Sequence, residues 1–222
     1  MIKVGMPHIS FTWLWLILAT VPLQAQATNP YELRLACDSA SFPPTISAHE
    51  LARRFGAKNI TGGSIYLGEG ESKRGTILFA DNSEKRLEIL WQDTAGQRFP
   101  SVIRVQGTIG SLWTTGEGIT ITTRLRTLER LNGKAFRMAG FGFDGSGWVM
   151  SWSGGKLAKS GGASCEFRAG LANVGRDVTD RQLSGQVTGD HEFSSAHPAM
   201  QMLDPRVDRL YLVFKPMPPQ PF

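Results

Sequence analysis

The sequence lacks the motifs that mark the common classes of enzyme. It has no Gly-x-Ser-x-Gly turn for an α/β-hydrolase serine and no His-Glu-x-x-His zinc motif. Its glycine-rich stretch GGSIYLGEGESKRG lacks the Gly-Lys-Ser/Thr that binds phosphates, so it is more typical of a hairpin loop. These absences leave enzymatic activity open but favour a protein that is not an enzyme, and we expect no cofactor.

Long apolar runs are absent except near the N-terminus, where residues 11–23 have the sequence FTWLWLILATVPL. Lys3 precedes this run and Ala25-Gln26-Ala27 follows it, which is the pattern of a signal peptide cleaved before Thr28. A spanning helix needs roughly 20 apolar residues, so a retained anchor is the weaker interpretation. We expect residues 1–27 to be a signal peptide and the mature chain to be exported, periplasmic or secreted, with no membrane span after cleavage.

Cysteine is scarce, with two residues, Cys37 and Cys165. An even number of cysteines in an oxidising compartment favours a disulfide, and the alternative is a pair of small buried thiols. Cys37 follows the polar stretch TNPYELRLA, well beyond the predicted cleavage site, so it is not expected to carry a lipid. The sequence therefore predicts a bond between Cys37 and Cys165.

Concentrated charge is also lacking, although the chain is mildly basic, with 24 Lys and Arg against 19 Asp and Glu. A nucleic-acid-binding protein is expected to collect its basic residues in a patch with interleaved aromatics. Basic pairs such as Arg53-Arg54 and Lys85-Arg86 form no such patch. We expect no nucleic acid partner, and we favour another protein or an envelope polymer.

Two stretches have the apolar spacing of a helix. In the first, Leu51 and Phe55 share a face with two alanines, Ser47 and Glu50 fit a capping box, and Gly56 fits a stop, which predicts a helix over 47–56. In the second, the stripe Leu125, Leu128 and Leu131 ends at Asn132-Gly133, and Thr122 or Thr123 is the expected cap. This pattern predicts a helix over 122–131.

Short runs rich in β-branched and aromatic residues alternate with turn signals over the rest of the chain. The runs TILFA and RLEILW predict one hairpin, RMAGFGF and WVMSW predict another, and single strands are expected near 64–67, 102–106, 165–170 and 208–214. Residues 172–204 are polar and predict a long excursion with one short helix. The fold class is therefore α+β, an antiparallel sheet with two short helices on one face.

Each predicted helix is followed by a hairpin that ends on tryptophan, which suggests two similar halves. We accordingly divide the chain into a first α+β unit at 28–110, a second at 111–215 and a proline-rich tail at 216–222. The alternative is that any α+β protein shows two such passages by chance.

The unit of a short helix followed by a hairpin, used twice, resembles the tandem modules of the β-lactamase inhibitor protein and of BamE-type envelope assembly proteins. The resemblance covers residues 45–92 and 121–153. It implies a sheet whose concave face binds another protein. The chain lacks the lipobox of the lipoproteins and the two disulfides of the inhibitor.

The aromatic residues of the hairpins are the main candidates for a binding surface: Trp91, Phe143, Trp148 and Trp152. By period-two alternation, Trp148 and Trp152 share one face of their strand, and Trp91 shares a face with Leu87 and Ile89. Such faces often form the core. The alternative, which we use as the binding hypothesis, is that the tryptophans are exposed anchors of the kind enriched at interface hot spots.

A second candidate site is the segment GDHEFSSAHPA, in which His191, Glu192 and His197 could coordinate a metal ion. Their spacing fits no established ligand pattern, and solvated loop charges explain them more simply. A basic stripe on the two predicted helices is also best explained by solvation, with attraction to anionic envelope polymers as the alternative.

These observations lead to two functional expectations. The first is an exported, non-enzymatic binding protein, for example an inhibitor or an envelope assembly factor, that acts through its sheet surface. The alternative is an envelope hydrolase or metal-dependent enzyme that uses the region of His191 and His197. An enzyme needs a pocket with convergent titratable groups, whereas a binding module needs an exposed apolar surface.

Overall fold

A computed structural model of the chain describes residue 1 and residues 33–107, 109–143, 145–172 and 178–217. The rest of the predicted signal peptide, its cleavage motif and the end of the proline-rich tail lie outside the described residues.

Within these ranges the chain forms four α-helices and nine β-strands, with two single-turn 3₁₀ helices at Ala57–Asn59 and Lys156–Lys159. The helices are α1 (Ala48–Phe55), α2 (Leu125–Asn132), α3 (Val178–Gly185) and α4 (Pro198–Leu203). The strands are β1 (Ile60–Gly68), β2 (Glu71–Leu78), β3 (Leu87–Asp93), β4 (Arg98–Gln106), β5 (Arg137–Ala139), β6 (Val149–Ser151), β7 (Cys165–Ala172), β8 (Glu192–Ser194) and β9 (Arg206–Phe214).

The strands form two antiparallel sheets. The larger has six strands in the order β1-β2-β3-β4-β9-β7, and the smaller has the order β6-β5-β8. The α+β class is therefore confirmed, as are the predicted single strands and both predicted hairpins.

The first helix forms where the sequence predicts it because its N-terminus is capped from both directions. The Ser47 backbone N–H donates to Glu50 Oε2 at 2.9 Å, and the Glu50 backbone N–H donates to Ser47 Oγ at 3.2 Å. Leu51 and Phe55 are buried on the inner face, and the helix ends at Gly56. The capping box and the stop are confirmed.

The second helix ends at Asn132 before Gly133, whose φ of 81° is left-handed, as the sequence predicts. The predicted cap at Thr122 or Thr123 is wrong. Arg124 occupies the N-cap position, and its side chain makes no capping hydrogen bond to the helix. Instead, a distant carboxylate, Asp204, accepts from the backbone N–H of Arg126 at 3.0 Å, so tertiary structure replaces the local cap.

One core lies between the larger sheet and the two predicted helices. Helix α1 contributes Leu51 and Phe55 to it, and α2 contributes Leu125 and Leu128. The inward-facing residues of the sheet complete this core: Leu87, Ile89, Trp91, Ile103, Val105, Phe167, Leu210 and Leu212. Both helices thus cover the same face of the sheet, and the opposite face is available to other elements.

The structure does not support the two similar halves. The first hairpin, β2–β3, belongs to the larger sheet, whereas the second, β5–β6, belongs to the smaller one. In addition, β4 from the first unit pairs directly with β9 from the second.

The segment 172–204 holds more structure than predicted, since it includes α3, α4 and β8. In the ranges described, no helix has the length and hydropathy needed to cross a membrane.

Candidate functional site

The β1–β2 hairpin leaves the plane of the larger sheet at Gly75. Pairing between β2 and β3 stops at Thr76 and Ile89, although both strands continue beyond that point. A Cβ at Gly75 would lie 2.4 Å from the backbone oxygen of Ile89 and 2.5 Å from Ile65 Cδ1. The hairpin therefore passes too close to β3 for any side chain, and only glycine fits at this position.

Beyond Gly75 the hairpin folds back over the face of the sheet that the helices leave open. The guanidinium of Arg104, on β4, donates to the backbone oxygen of Tyr66, on β1, although two strands separate β1 from β4 in the sheet order. Ile65 and Ile77, which belong to the strands of this hairpin, are buried but lie outside the main core. The hairpin thus forms one wall of a groove, and the open face forms its floor.

The groove consists of two adjoining cavities of about 640 Å³ and 490 Å³. Four residues line both cavities: Leu67, Arg104, Trp148 and Tyr211. The first cavity is also lined by Lys73, Arg74, Leu90, Trp91 and Val102. The second is also lined by Tyr66, Glu69, Glu71, Gln106 and Arg209. The volume of each cavity lies in the range of ligand pockets. The groove that they form runs along β4 from Val102 to Gln106.

Arg104 forms the centre of the floor and is held rigidly. Its side chain is 5% exposed, and Nε donates to Glu88 Oε2 at 2.8 Å. Nη1 lies 3.4 Å from the Tyr211 hydroxyl, and Nη2 reaches the Tyr66 carbonyl. A buried charge needs such partners, so Arg104 serves mainly to join the hairpin to the floor.

Trp148 forms the wall opposite the hairpin. Its ring packs edge-on against Tyr211, with centroids 4.9 Å apart, and the guanidinium carbon of Arg209 lies 4.6 Å from its centroid. Arg209 also donates to the backbone oxygen of Ser146 at 2.7 Å, which ties the loop before Trp148 to β9. The tryptophan stays half-buried, so part of its ring faces the groove.

Arg209 is balanced by its neighbour Asp208, whose Oδ1 lies 3.0 Å from Nε. Burial raises the pKa of Asp208 above its ordinary value, and the nearby Arg209 offsets this only in part.

Lys73 and Arg74 differ from Arg104 and Arg209 in their surroundings. Both are exposed, and neither side chain has an ion pair or a hydrogen bond with any residue that the structure describes.

The expectation that three tryptophans are exposed anchors is wrong for two of them. Trp91 is 6% exposed and Trp152 is 9% exposed, and both belong to the core. Trp91 shares the inner face of β3 with Leu87 and Ile89, and its Nε1–H donates to Thr76 Oγ1 at 2.9 Å. It touches the groove only as part of the lining of the first cavity.

Period-two alternation did not predict the positions of the tryptophans in the second hairpin, because β6 is three residues long. Trp148 and Trp152 lie outside this strand, so the period-two pattern does not relate them. Trp152 stacks on Phe167, with centroids 5.8 Å apart and planes 9° apart, beside the end of α2. Phe143 is half-buried and is not among the residues that line the groove.

The metal-binding candidates do not converge on one point. Glu192 Oε2 accepts from Arg137 Nε at 2.6 Å, and His197 Nδ1 accepts from the Ala199 N–H at 3.2 Å as the cap of α4. The rings of His191 and His197 each pack against Phe193, at centroid distances of 6.4 Å and 5.8 Å. Over the described part of the chain, no group of three or more metal-binding side chains is placed to hold an ion.

The sequence contained a signal for the groove residues that its interpretation missed. In SVIRVQ, Arg104 alternates with the core residues Ile103 and Val105, and in DRLYLVF, Tyr211 alternates with Leu210 and Leu212. Charged or aromatic residues that alternate with core residues along a strand indicate a second face of the sheet, outside the core. The curl of the hairpin that encloses this face depends on tertiary contacts.

Comparisons of the chain with protein-family models, with curated proteins and with solved structures found no match. The resemblance to the β-lactamase inhibitor protein and BamE-type modules therefore stays a prediction. We interpret the groove from its own residues.

Proposed function

We propose that the protein is an exported binding protein that holds a segment of a partner protein in the groove. The observation that carries this proposal is the half-buried ring of Trp148, which faces the β1–β2 hairpin across a floor of Arg104 and Tyr211. The Cys37–Cys165 disulfide and the lack of a membrane-spanning helix among the described residues are compatible with export.

The composition of the groove supports protein recognition. Tryptophan, tyrosine and arginine dominate interface hot spots, because they combine a large apolar area with a polar group. Trp148, Tyr211, Tyr66 and Arg209 all line the second cavity. Tyr66 is 58% exposed at the rim, which is high for so large an apolar side chain.

Recognition in the groove would use side chains rather than strand addition. The floor strand β4 is paired on both sides, with β3 and with β9, so its backbone groups are already satisfied. A partner segment would therefore be held by ring contacts and charges, with Trp148 as the central anchor.

Site-specific photocross-linking tests this proposal. Benzoylphenylalanine placed at Tyr66, on the groove rim, should yield one discrete protein adduct when the mature chain is incubated with envelope proteins of its own cells. The same group at Met202, which is 63% exposed on α4 and does not line the groove, is the matched control and should not yield that adduct.

The adduct at Tyr66 should fall at least tenfold when Trp148→Ala is added, because an anchor of this kind contributes about 2 kcal/mol or more. Circular dichroism would confirm that the double variant is folded. Equal cross-linking at Tyr66 and Met202, or an adduct that does not respond to Trp148→Ala, would contradict the proposal.

A further inference from the structure

We infer that the first cavity of the groove binds an acidic segment of the partner protein, in which an Asp or Glu lies next to an apolar residue. This inference rests on the proposed function and adds the chemistry of the ligand. It depends on how charges and apolar side chains are distributed along the groove.

The charges of the groove fall into two groups. Arg104 and Arg209 each face a carboxylate, Glu88 at 2.8 Å and Asp208 at 3.0 Å, and Glu88 also pairs with Arg86 at 2.9 Å. Both groove arginines therefore have a charged partner within the fold. Lys73 and Arg74 are exposed, and neither has a charged or hydrogen-bonded side-chain partner among the residues the structure describes.

The sign of the groove also changes along its length. Among the described residues that line the first cavity, where Lys73 and Arg74 lie, there is no carboxylate. Glu69 and Glu71 line the second cavity instead. An anionic group would therefore be attracted to the first cavity and repelled from the far side of the second, which fixes both the charge and the direction of a bound segment.

The apolar lining of the first cavity favours a peptide over an anionic polysaccharide. Leu67, Leu90 and Val102 line it beside the two cations. An apolar side chain would bury its surface against these residues, whereas the hydroxyl groups of a sugar would lose water there without gaining partners. The combination of these apolar side chains with two cations that have no side-chain partner among the described residues therefore fits an acidic peptide.

The length of the groove sets the size of the segment. The floor runs along β4 from Val102 to Gln106, and four steps of an extended strand span about 13 Å. An extended partner segment of roughly five residues would fill this distance. Its acidic residue would lie at the Val102 end, beside Lys73 and Arg74.

The test uses two blocked six-residue peptides, one alternating leucine with glutamate and one alternating leucine with glutamine. Binding is followed through the indole N–H signal of Trp148 in nuclear magnetic resonance spectra, which detects millimolar affinities and is assigned with Trp148→Phe. The glutamate peptide should shift this signal and bind at least tenfold more tightly than the glutamine peptide. Its binding should weaken as salt is added.

Charge reversal tests whether Lys73 and Arg74 cause the preference for the glutamate peptide. Lys73→Glu with Arg74→Glu should weaken the glutamate peptide at least tenfold. The control pair is Lys156→Glu with Lys159→Glu, which makes the same change of charge at exposed residues outside the groove and should leave binding unchanged.

Several outcomes would overturn the inference. Equal binding of the two peptides would remove the acidic preference while leaving the groove as a peptide site. An alginate oligosaccharide that shifts Trp148 when the glutamate peptide does not would replace the peptide with a polysaccharide. If no probe shifts Trp148, the acidic-segment inference falls, and cross-linking at Tyr66 decides separately whether the proposed function stands.

Discussion

Trp148 and Trp152 lie four residues apart, yet their surroundings assign them different roles. Trp152 is enclosed by Phe136 and Phe167 in the core, and its carbonyl accepts from the side chain of Asn132 at 3.0 Å. Trp148 has one side against Tyr211 and Arg209 and the other toward the groove. Both are tryptophans near strand ends, so residue type alone cannot separate an anchor from a core residue.

We therefore expect the two alanine variants to differ in stability. Trp152→Ala removes a buried aromatic side chain and should lower the free energy of unfolding by ~3–5 kcal/mol. Trp148→Ala removes one edge-on ring contact and one cation–π contact and should cost ~1–2 kcal/mol. Urea unfolding of both variants measures the difference. A larger loss in Trp148→Ala would make Trp148 a core residue and weaken its assignment as the anchor.

The β1–β2 hairpin is the element that converts an open sheet face into a groove. Its position depends on Gly75, where a Cβ would lie 2.4 Å from the backbone oxygen of Ile89. On the other strand of the same hairpin, Gly62 has open space around its Cβ position. The two glycines therefore offer a matched pair of substitutions within one element.

Gly75→Ala should force the hairpin away from β3 and should cost ~1–3 kcal/mol of stability, as overpacking commonly does. Hydrogen exchange of the β1–β2 amides should accelerate, because the hairpin would open without the rest of the sheet. Gly62→Ala should change the free energy of unfolding by less than about 1 kcal/mol. If both variants behaved alike, the close approach at Gly75 would not determine the shape of the groove.

At the level of elements, the sequence was informative wherever the pattern was local. Both helices and the main strands follow from apolar spacing and turn residues, and the Ser47–Glu50 capping box formed as expected. The cap of α2 was not predictable, because Asp204 supplies it from 78 residues away. The strand β8 was missed because its polar sequence pairs with β5 through tertiary context.

At the level of the whole molecule, strands from both predicted units join in the larger sheet. Strand β9, near the end of the chain, pairs with β4 on one side and with β7 on the other. The groove uses this arrangement, since Arg104 comes from β4 and Tyr211 from β9. The candidate site therefore depends on residues that are 107 positions apart in the sequence, which a search for local motifs cannot find.

The disulfide fastens the opposite edge of this sheet. Cys165 begins β7, an edge strand, and it is bonded to Cys37 in the segment before α1, with the two Cα atoms 6.2 Å apart. That spacing lies in the normal range for a disulfide, so the predicted bond is confirmed. The groove lies away from it, because neither cysteine lines either cavity.

This separation predicts that the disulfide supports stability rather than binding. The bond closes a loop of 128 residues, so the chain-entropy model allows up to ~5 kcal/mol, and measured losses are commonly ~2–5 kcal/mol. Cys37→Ala with Cys165→Ala should therefore lower the urea midpoint clearly, and a reducing agent should then have no further effect on that variant. Below the new midpoint, cross-linking at Tyr66 should persist, because β1–β4, β9 and Trp148 form the groove without the bond. Loss of cross-linking in a variant that is still folded would mean that the sheet edge and the groove are coupled, and an unchanged midpoint would mean that the bond contributes little to stability.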